Sequence, residues 1–323
     1  MAYQYLDHVG NIYLLDTNFF GFPRFNAAYV IKGTEKNVLI DTGDANTIED
    51  TKNELKKAGL TIQDIDYIFV THCEHPDHSG NVGAFAKENP NIKVFINPAG
   101  EEYLVHPEIE AAERLRMCPP GMGDRFGKMT PLDPAQIHRL TDGEVIDIGD
   151  GDELTVTFTP GHQPSGIVIH EKKQNLLFIN DLAGQYFDEF GVTLILSPDK
   201  SDVYDAKKHL EIISQNHYDW LALGHYGFNA NPEKVMQLAL SRMEHMLALA
   251  KELEEAGRLE ELRTQMYKYI VEPEIDKIGR LREESFYTYY RDELGPNLCN
   301  GFARFYDRRL GKQVADHYVE AKK

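Results

Sequence analysis

Four of the short apolar runs in this chain end at a residue that can bind a metal. "YIFVT" leads into His72, "LTVTF" into "TPGH" and His162, "LLFIN" into Asp181, and "WLALG" into His225. The runs are rich in β-branched and aromatic residues and read as strands, as do "NIYLL", "AAYVIK", "NVLID", "IKVFI" and "GIVIH". Strand ends are fixed points. Four such ends carrying His or Asp are most simply explained by one shared site at the rim of a sheet. Some runs follow each other as hairpins and others are separated by helical segments. One helix is expected in "DANTIEDTKNELKKAGL", with Asp44 as its N-cap and Gly59 as its stop. Hairpins followed by strand–helix units predict an α/β sandwich of two sheets, not a doubly wound parallel sheet.

The densest chemistry lies in "THCEHPDHSG", residues 71–80, directly after a strand. Imidazole and carboxylate groups converging from such a loop suit a borderline divalent cation. The strand would fix the first ligand, the loop would turn the next ones onto the same point, and Gly80 would permit the tight turn.

Taken together, His72, His75, Asp77, His78, His162, Asp181 and His225 resemble the signature of the metallo-β-lactamase fold superfamily, over about Asn11 to Gly227. That signature is H-x-H-x-D-H, then a distant His, a bridging Asp and a last His. The resemblance implies a four-layer αβ/βα sandwich and two divalent metal ions, zinc first and iron or manganese as alternatives. One ion would be held by His72, His75 and His162, the other by Asp77, His78 and His225, with Asp181 bridging. Asp77 and Asp181 are thereby the carboxylates implied in catalysis. Asp41 of "LIDTG" would support the site from behind. A hydroxide between the ions would be the nucleophile, since the pKa of bound water falls from 15.7 to about 7.

This chain has one residue too many between the first two histidines of that signature. Three registers are open. His72 and His75 both ligate and a bulge absorbs the insertion, which is the preferred reading. Alternatively Cys73 takes the first position. In the third register Glu74 replaces a histidine, as in flavodiiron proteins, a branch that "NDLAGQY" also resembles. No flavodoxin-like domain follows, and "FTPGHQPSG" resembles the hydrolase branches instead.

Residues 1–230 are thus expected to form the catalytic domain and 231–323 a helical extension. The extension begins with Asn231 and Pro232 as a helix start and closes its first helix at Gly257. Met236, Leu240, Met243, Leu247 and Ala250 make one apolar stripe along that helix. Beyond it the chain reads as helical, interrupted at Pro273, Gly279 and "GPN" 295–297, and is rich in Tyr and Phe. Those aromatics suggest a homodimer through the C-terminal helices, or a lid. The loop "DTNFFGFPRFNAAYV" is too apolar to be idle in water and "RMCPPGMGDRFG" could frame a pocket. Tyr186 and Tyr226, just after Asp181 and His225, are candidate oxyanion donors.

The chain has 323 residues, 34 basic and 52 acidic, for a net charge of −18, which disfavours nucleic acid as a partner. There is no membrane-spanning run and no signal-like start, and three cysteines are too few for a disulfide framework, so a cytoplasmic protein is expected. The functional expectation is a dinuclear metal-dependent hydrolase attacking an ester, lactone or thioester carbonyl of a small molecule with an apolar portion. The alternative is a non-hydrolytic di-iron protein that binds, senses or reduces oxygen or nitric oxide.

Overall fold

The computed structural model describes residues 5–279 and 284–314. Two large sheets face each other. The first has seven strands in chain order: His8–Val9, Ile12–Asp16, Ala27–Lys32, Asn37–Ile40, Tyr67–Phe69, Lys93–Ile96 and Ile137–Arg139. Its first four strands form an antiparallel meander and the rest pair in parallel through helical crossovers. The second runs Phe228–Asn229, Trp220–Leu223, Leu176–Asn180, Ile167–Glu171, Asp152–Phe158, Val145–Gly149 across the sheet. All nine strands read from the sequence are present, with every end within two residues of the reading.

The layering follows from side-chain alternation, because successive residues of a strand point to opposite faces. In Ala27–Lys32, Ala27, Tyr29 and Ile31 meet the second sheet, whereas Ala28 and Val30 meet helices. In Leu176–Asn180, Leu176 and Phe178 face the first sheet while Leu177 and Ile179 face the opposite helices. Both faces of both sheets are apolar, so helices must cover each outer face. The result is the four-layer αβ/βα sandwich of the metallo-β-lactamase fold, with a helical C-terminal region.

The helix expected from Asp44 starts later, at Ile48, and runs to Lys57. Asp44 is instead the first residue of a tight turn, its Oδ1 accepting from Asn46 N at 2.8 Å. Gly59 does end the helix, at φ +78°. Gly80 is right-handed, contrary to its expected role in a turn. What requires glycine there is proximity, since a Cβ would lie 2.6 Å from Ala45 N and 2.5 Å from Pro76 O.

The strands finish at Asn229 and Pro232–Glu255 opens the helical region. Its stripe is turned inward, and the later helices share one core with the outer face of the second sheet. Pro273 and Gly295-Pro296 do not break the chain into separate helices. Each proline follows, by one residue, a π-turn: Tyr267–Val271 before Pro273 and Tyr290–Leu294 before Pro296. The wider turn accommodates a residue that has no N–H to continue the i→i−4 ladder. Phe286, Tyr289, Tyr290, Phe302, Phe305 and Tyr306, whose aromaticity suggested self-association, are buried within this core. Residues 315–323 lie outside the described residues. Among the described residues no helix is long and apolar enough to cross a membrane.

At the sheet end far from the strand termini of interest, Glu171 is fully buried, and burial together with the neighbouring Asp152 carboxylate pushes its carboxyl up to about 8. The folded state therefore holds this proton more tightly than the unfolded chain. The pair's stabilisation is complete below the ordinary value of 4.5 and is lost as pH rises through about 8. Asp152→Asn is expected to flatten the fall in thermal midpoint between pH 5 and pH 8; equal slopes in wild type and variant would refute the assignment.

Candidate metal centre

Five strand termini from the two sheets meet at one end of the sandwich. They deliver Asp41 after Asn37–Ile40, His72 after Tyr67–Phe69, His162 after Asp152–Phe158, Asp181 after Leu176–Asn180 and His225 after Trp220–Leu223. The turns out of the sheets are strained: Asp41 (φ +59°), Asn180 (φ +48°) and Tyr226 (φ +84°) are non-glycine residues in left-handed conformations. Such residues cost about 1–3 kcal/mol each and persist where the surroundings hold them.

Two compact groups of ligand atoms result, each within 4.8 Å: His72, His78 and Asp181, and Asp77, His78 and His225. Asp181 stands between the histidines, its Oδ2 3.3 Å from His162 Nε2 and 3.6 Å from His78 Nε2, its Oδ1 3.5 Å from His225 Nε2. The approach is allowed by Gly224, where a Cβ would lie 2.7 Å from Asp181 Oδ1 and 3.0 Å from His78 Cε1.

The loop at 71–80 divides its side chains by direction. His72 is buried among the imidazoles, 4.9 Å from His162 between ring centroids. Cys73 turns the other way, into the apolar layer behind the first sheet, against Gly100. Glu74 also turns away: Oε1 accepts from Ser165 N at 2.9 Å, Oε2 from Cys73 N at 3.1 Å, and the Ser165 hydroxyl bonds the same carboxylate. The extra residues are therefore used to pin this loop to the one that carries His162. His75, held extended by the proline after it, stands at the rim. Its ring is 6.3 Å from His72 and 6.4 Å from His162, and its side chain is 35% exposed. Like His162, it lies outside the two compact groups, and its Nδ1 is 3.8 Å from Asp77 Oδ1.

Three imidazoles have Nδ1 held by an oxygen: His78 by Asp41 Oδ2 at 3.0 Å, His225 by Phe25 O at 3.2 Å and His162 by Leu196 O at 3.3 Å. Each is thereby oriented to present Nε2 inward. Asp41 is itself fixed by Thr71 N (2.8 Å), Thr71 Oγ1 (2.7 Å) and Asn180 Nδ2 (3.2 Å). Burial lowers the pKa of His72 and His162, so these rings are neutral and their lone pairs available. For His78 burial is outweighed by the carboxylates of Asp77, Asp181 and Asp41, which push it up to about 10. That field is what a divalent cation would meet. Among the described residues, His72 Nε2, Asp77 Oδ1, His162 Nε2 and Asp181 Oδ1 are buried without a hydrogen-bond partner. Such atoms cost about 1–3 kcal/mol apiece unless something pairs them, and this donor set suits zinc, iron or manganese.

Above the cluster lies a narrow cavity of about 60 Å³ whose walls include Phe19, Met122, Phe126, Leu196, Leu294 and Leu298 beside His75, Asp77, His162, Asp181 and His225. The loop "RMCPPGMGDRFG", expected to frame a pocket, supplies Met122 and Phe126, and the phenylalanine-rich loop supplies Phe19. In the phenylalanine loop, Phe20, Phe22 and Phe25 also pack on Phe286, Tyr289 and Tyr290 of the helical region. Tyr186 donates to Asp188 Oδ1 at 3.0 Å and Tyr226 packs edge-on to Tyr5. The tyrosine in the chamber wall is Tyr289. Gln185, which the sequence did not single out, lies over the His225 ring, its amide nitrogen 3.0 and 3.1 Å from the two ring nitrogens. Its carbonyl accepts from Tyr290 at 2.6 Å, tying the helical region to a ligand candidate.

The sequence model of the metallo-beta-lactamase superfamily matches residues 21–225, and the chain belongs to that superfamily. Curated relatives differ in what they do. The chain is 27% identical over 215 residues to the flavo-diiron protein FprA2 of Clostridium acetobutylicum, covering 61% of this chain and 48% of that one. It is 29% identical over 171 residues to the human acyl-coenzyme A thioesterase MBLAC2, covering 48% and 57%. The chain thus spans about half the length of these relatives. Among solved structures, a metallo-beta-lactamase family protein from Thermus thermophilus superposes with a TM-score of 0.65 at 19% identity, over 94% of this chain and 95% of that one. An archaeal superfamily member from Sulfolobus tokodaii gives a TM-score of 0.59 at 22% identity, over 74% and 87%.

Asp41→Asn keeps the shape but weakens the acceptor behind His78. It is expected to leave the fold intact and to lower metal affinity about 10–100-fold, measured by competition with a chromophoric chelator. Unchanged affinity would refute the orienting role.

Proposed function

We propose that this protein is a metal-dependent hydrolase of thioesters, esters or lactones with an apolar acyl portion, thioesters first. The observation that carries the reading is the apolar chamber opening directly onto the His/Asp cluster. The likeness to acyl-coenzyme A thioesterases in human and chicken favours thioesters among carbonyl substrates. His72, His75, His162, Asp77, His78, His225 and a bridging Asp181 are the proposed ligands of two divalent ions, with zinc favoured by the nitrogen-rich donors. Bound there, the ions supply activated water near neutral pH and polarise the carbonyl. The chain's own residues do the rest. Asp41 and Phe25 O hold His78 and His225 in register. Phe19, Met122 and Phe126 take the apolar group and exclude bulk water around the reacting carbonyl. A cytoplasmic location and a small-molecule substrate are part of the same proposal. The expected outcome is turnover of a medium-chain acyl thioester that a chelator abolishes and added zinc, manganese or iron restores. A fully metal-loaded protein inert towards a panel of thioesters, esters and lactones would contradict it.

The similarity to FprA2 supports a second reading, a non-hydrolytic di-iron protein. Glu74 weighs against it, because the carboxylate that the third register would turn to the metal is bonded to Ser165. Under this reading, protein purified without oxygen holds two irons and its absorption changes when the reduced form meets oxygen. Colourless protein that hydrolyses thioesters would exclude it.

A further inference from the structure

Of the hydrogen-bond donors lining the chamber that are not candidate ligands, most are already occupied or badly placed. The Gln185 amide is engaged between His225 and Tyr290. Ser197 Oγ lacks a partner, but it is fully enclosed by protein atoms and does not open onto the cavity. Asn297 sits half-buried where the chamber meets a neighbouring polar pocket.

Tyr289 is different. Its side chain is 3% exposed and its ring is clamped by Phe20, Phe22, Phe25 and Tyr290, with the Arg125 guanidinium 5.3 Å from the ring centre. Among the described residues its hydroxyl makes no hydrogen bond, although its neighbour Tyr290 satisfies its own on Gln185. The hydroxyl is not among the fully enclosed polar atoms, so it opens onto the cavity that Tyr289 lines. Phenylalanine would fill the same aromatic cage but offer that cavity no donor. The hydroxyl therefore calls for an acceptor that arrives from outside, and the space it borders is the chamber shared with His75, Asp77, His162, Asp181 and His225. Burial raises the phenol well above its ordinary pKa, outweighing the opposing Arg125 charge, so it stays protonated and can only donate or accept as a neutral group.

Resting on the hydrolase reading, we propose that Tyr289 is a further catalytic residue, contributed by the C-terminal helical region. Its O–H donates a hydrogen bond to the substrate's carbonyl oxygen as that oxygen gains negative charge. In the reaction a water oxygen bonds the acyl carbon and the C–S bond breaks. The electron pair leaves with sulfur, and the released proton ends on the thiolate, giving acid and thiol. Tyr289 keeps its own proton throughout. Its position on the helix Glu284–Tyr289, just before the π-turn Tyr290–Leu294, means that the extension completes the site as well as stabilising the core.

The test compares the full metal-loaded chain with Tyr289→Phe, using an acyl thioester as substrate and the matching non-hydrolysable thioether as a binding probe. Expected for Y289F are a kcat lower by about 10–100-fold and a KM and thioether affinity within about threefold. Metal affinity should be unchanged, and the thermal midpoint equal to or above that of the wild type. A kcat within twofold of wild type overturns the proposal. So does a kcat loss accompanied by an equal loss of metal affinity or a clearly lower midpoint, which would mark a structural role. A wild type that turns over no thioester overturns the hydrolase reading itself, and is thereby told apart from failure of the tyrosine's role alone.

Discussion

The structure depends on keeping several carboxylates and imidazoles together out of water. Asp41, Asp77 and Asp181 are each less than 10% exposed and all bear on His78. Burying unpaired charge is among the largest costs a fold can bear. Here that cost is offset by backbone and side-chain donors behind the cluster, chiefly Thr71 and Asn180 on Asp41, while the inward-facing atoms are left for a cation. The strained turns at Asp41, Asn180 and Tyr226 follow from the same demand, since a strand cannot both end in a buried core and aim its next side chain at the rim without a sharp reversal.

Much of this was legible in the sequence because β-periodicity and strand-end placement are local signals. "AAYVIK" could be read as a strand with its bounds as they stand, Ala27–Lys32, and the residues singled out lie together at one end of the sandwich, with His75 at the rim, its Nδ1 3.8 Å from Asp77 Oδ1. What escaped the sequence was decided by contacts between distant segments. Direction at Cys73 and Glu74 is set by Gly100 and Ser165, 27 and 91 positions away in the chain as the numbering shows. Gln185 carried no signal beyond lying after Asp181, and Tyr289 was one aromatic among many in "ESFYTYY". The candidates chosen for their nearness in sequence, Tyr186 and Tyr226, spend their phenols or rings elsewhere.

The helical region illustrates how an extension becomes part of a site. It buries its stripe on the outer face of the second sheet, so its packing energy and that of the sandwich are one. From that platform Tyr290 reaches Gln185 over His225, and Leu294, Leu298 and Tyr289 wall the chamber. Perturbing the extension should therefore be felt at the cluster, through a hydrogen-bonded chain of three residues.

The central claim is that two cations share the carboxylate of Asp181. The most direct measurement is anomalous diffraction at a metal absorption edge, on crystals of protein loaded with a single metal type. The account predicts two adjacent peaks flanking Asp181, one facing His72, His75 and His162 and the other facing Asp77, His78 and His225. Peaks located elsewhere, or none at this cluster under saturating metal, would contradict it.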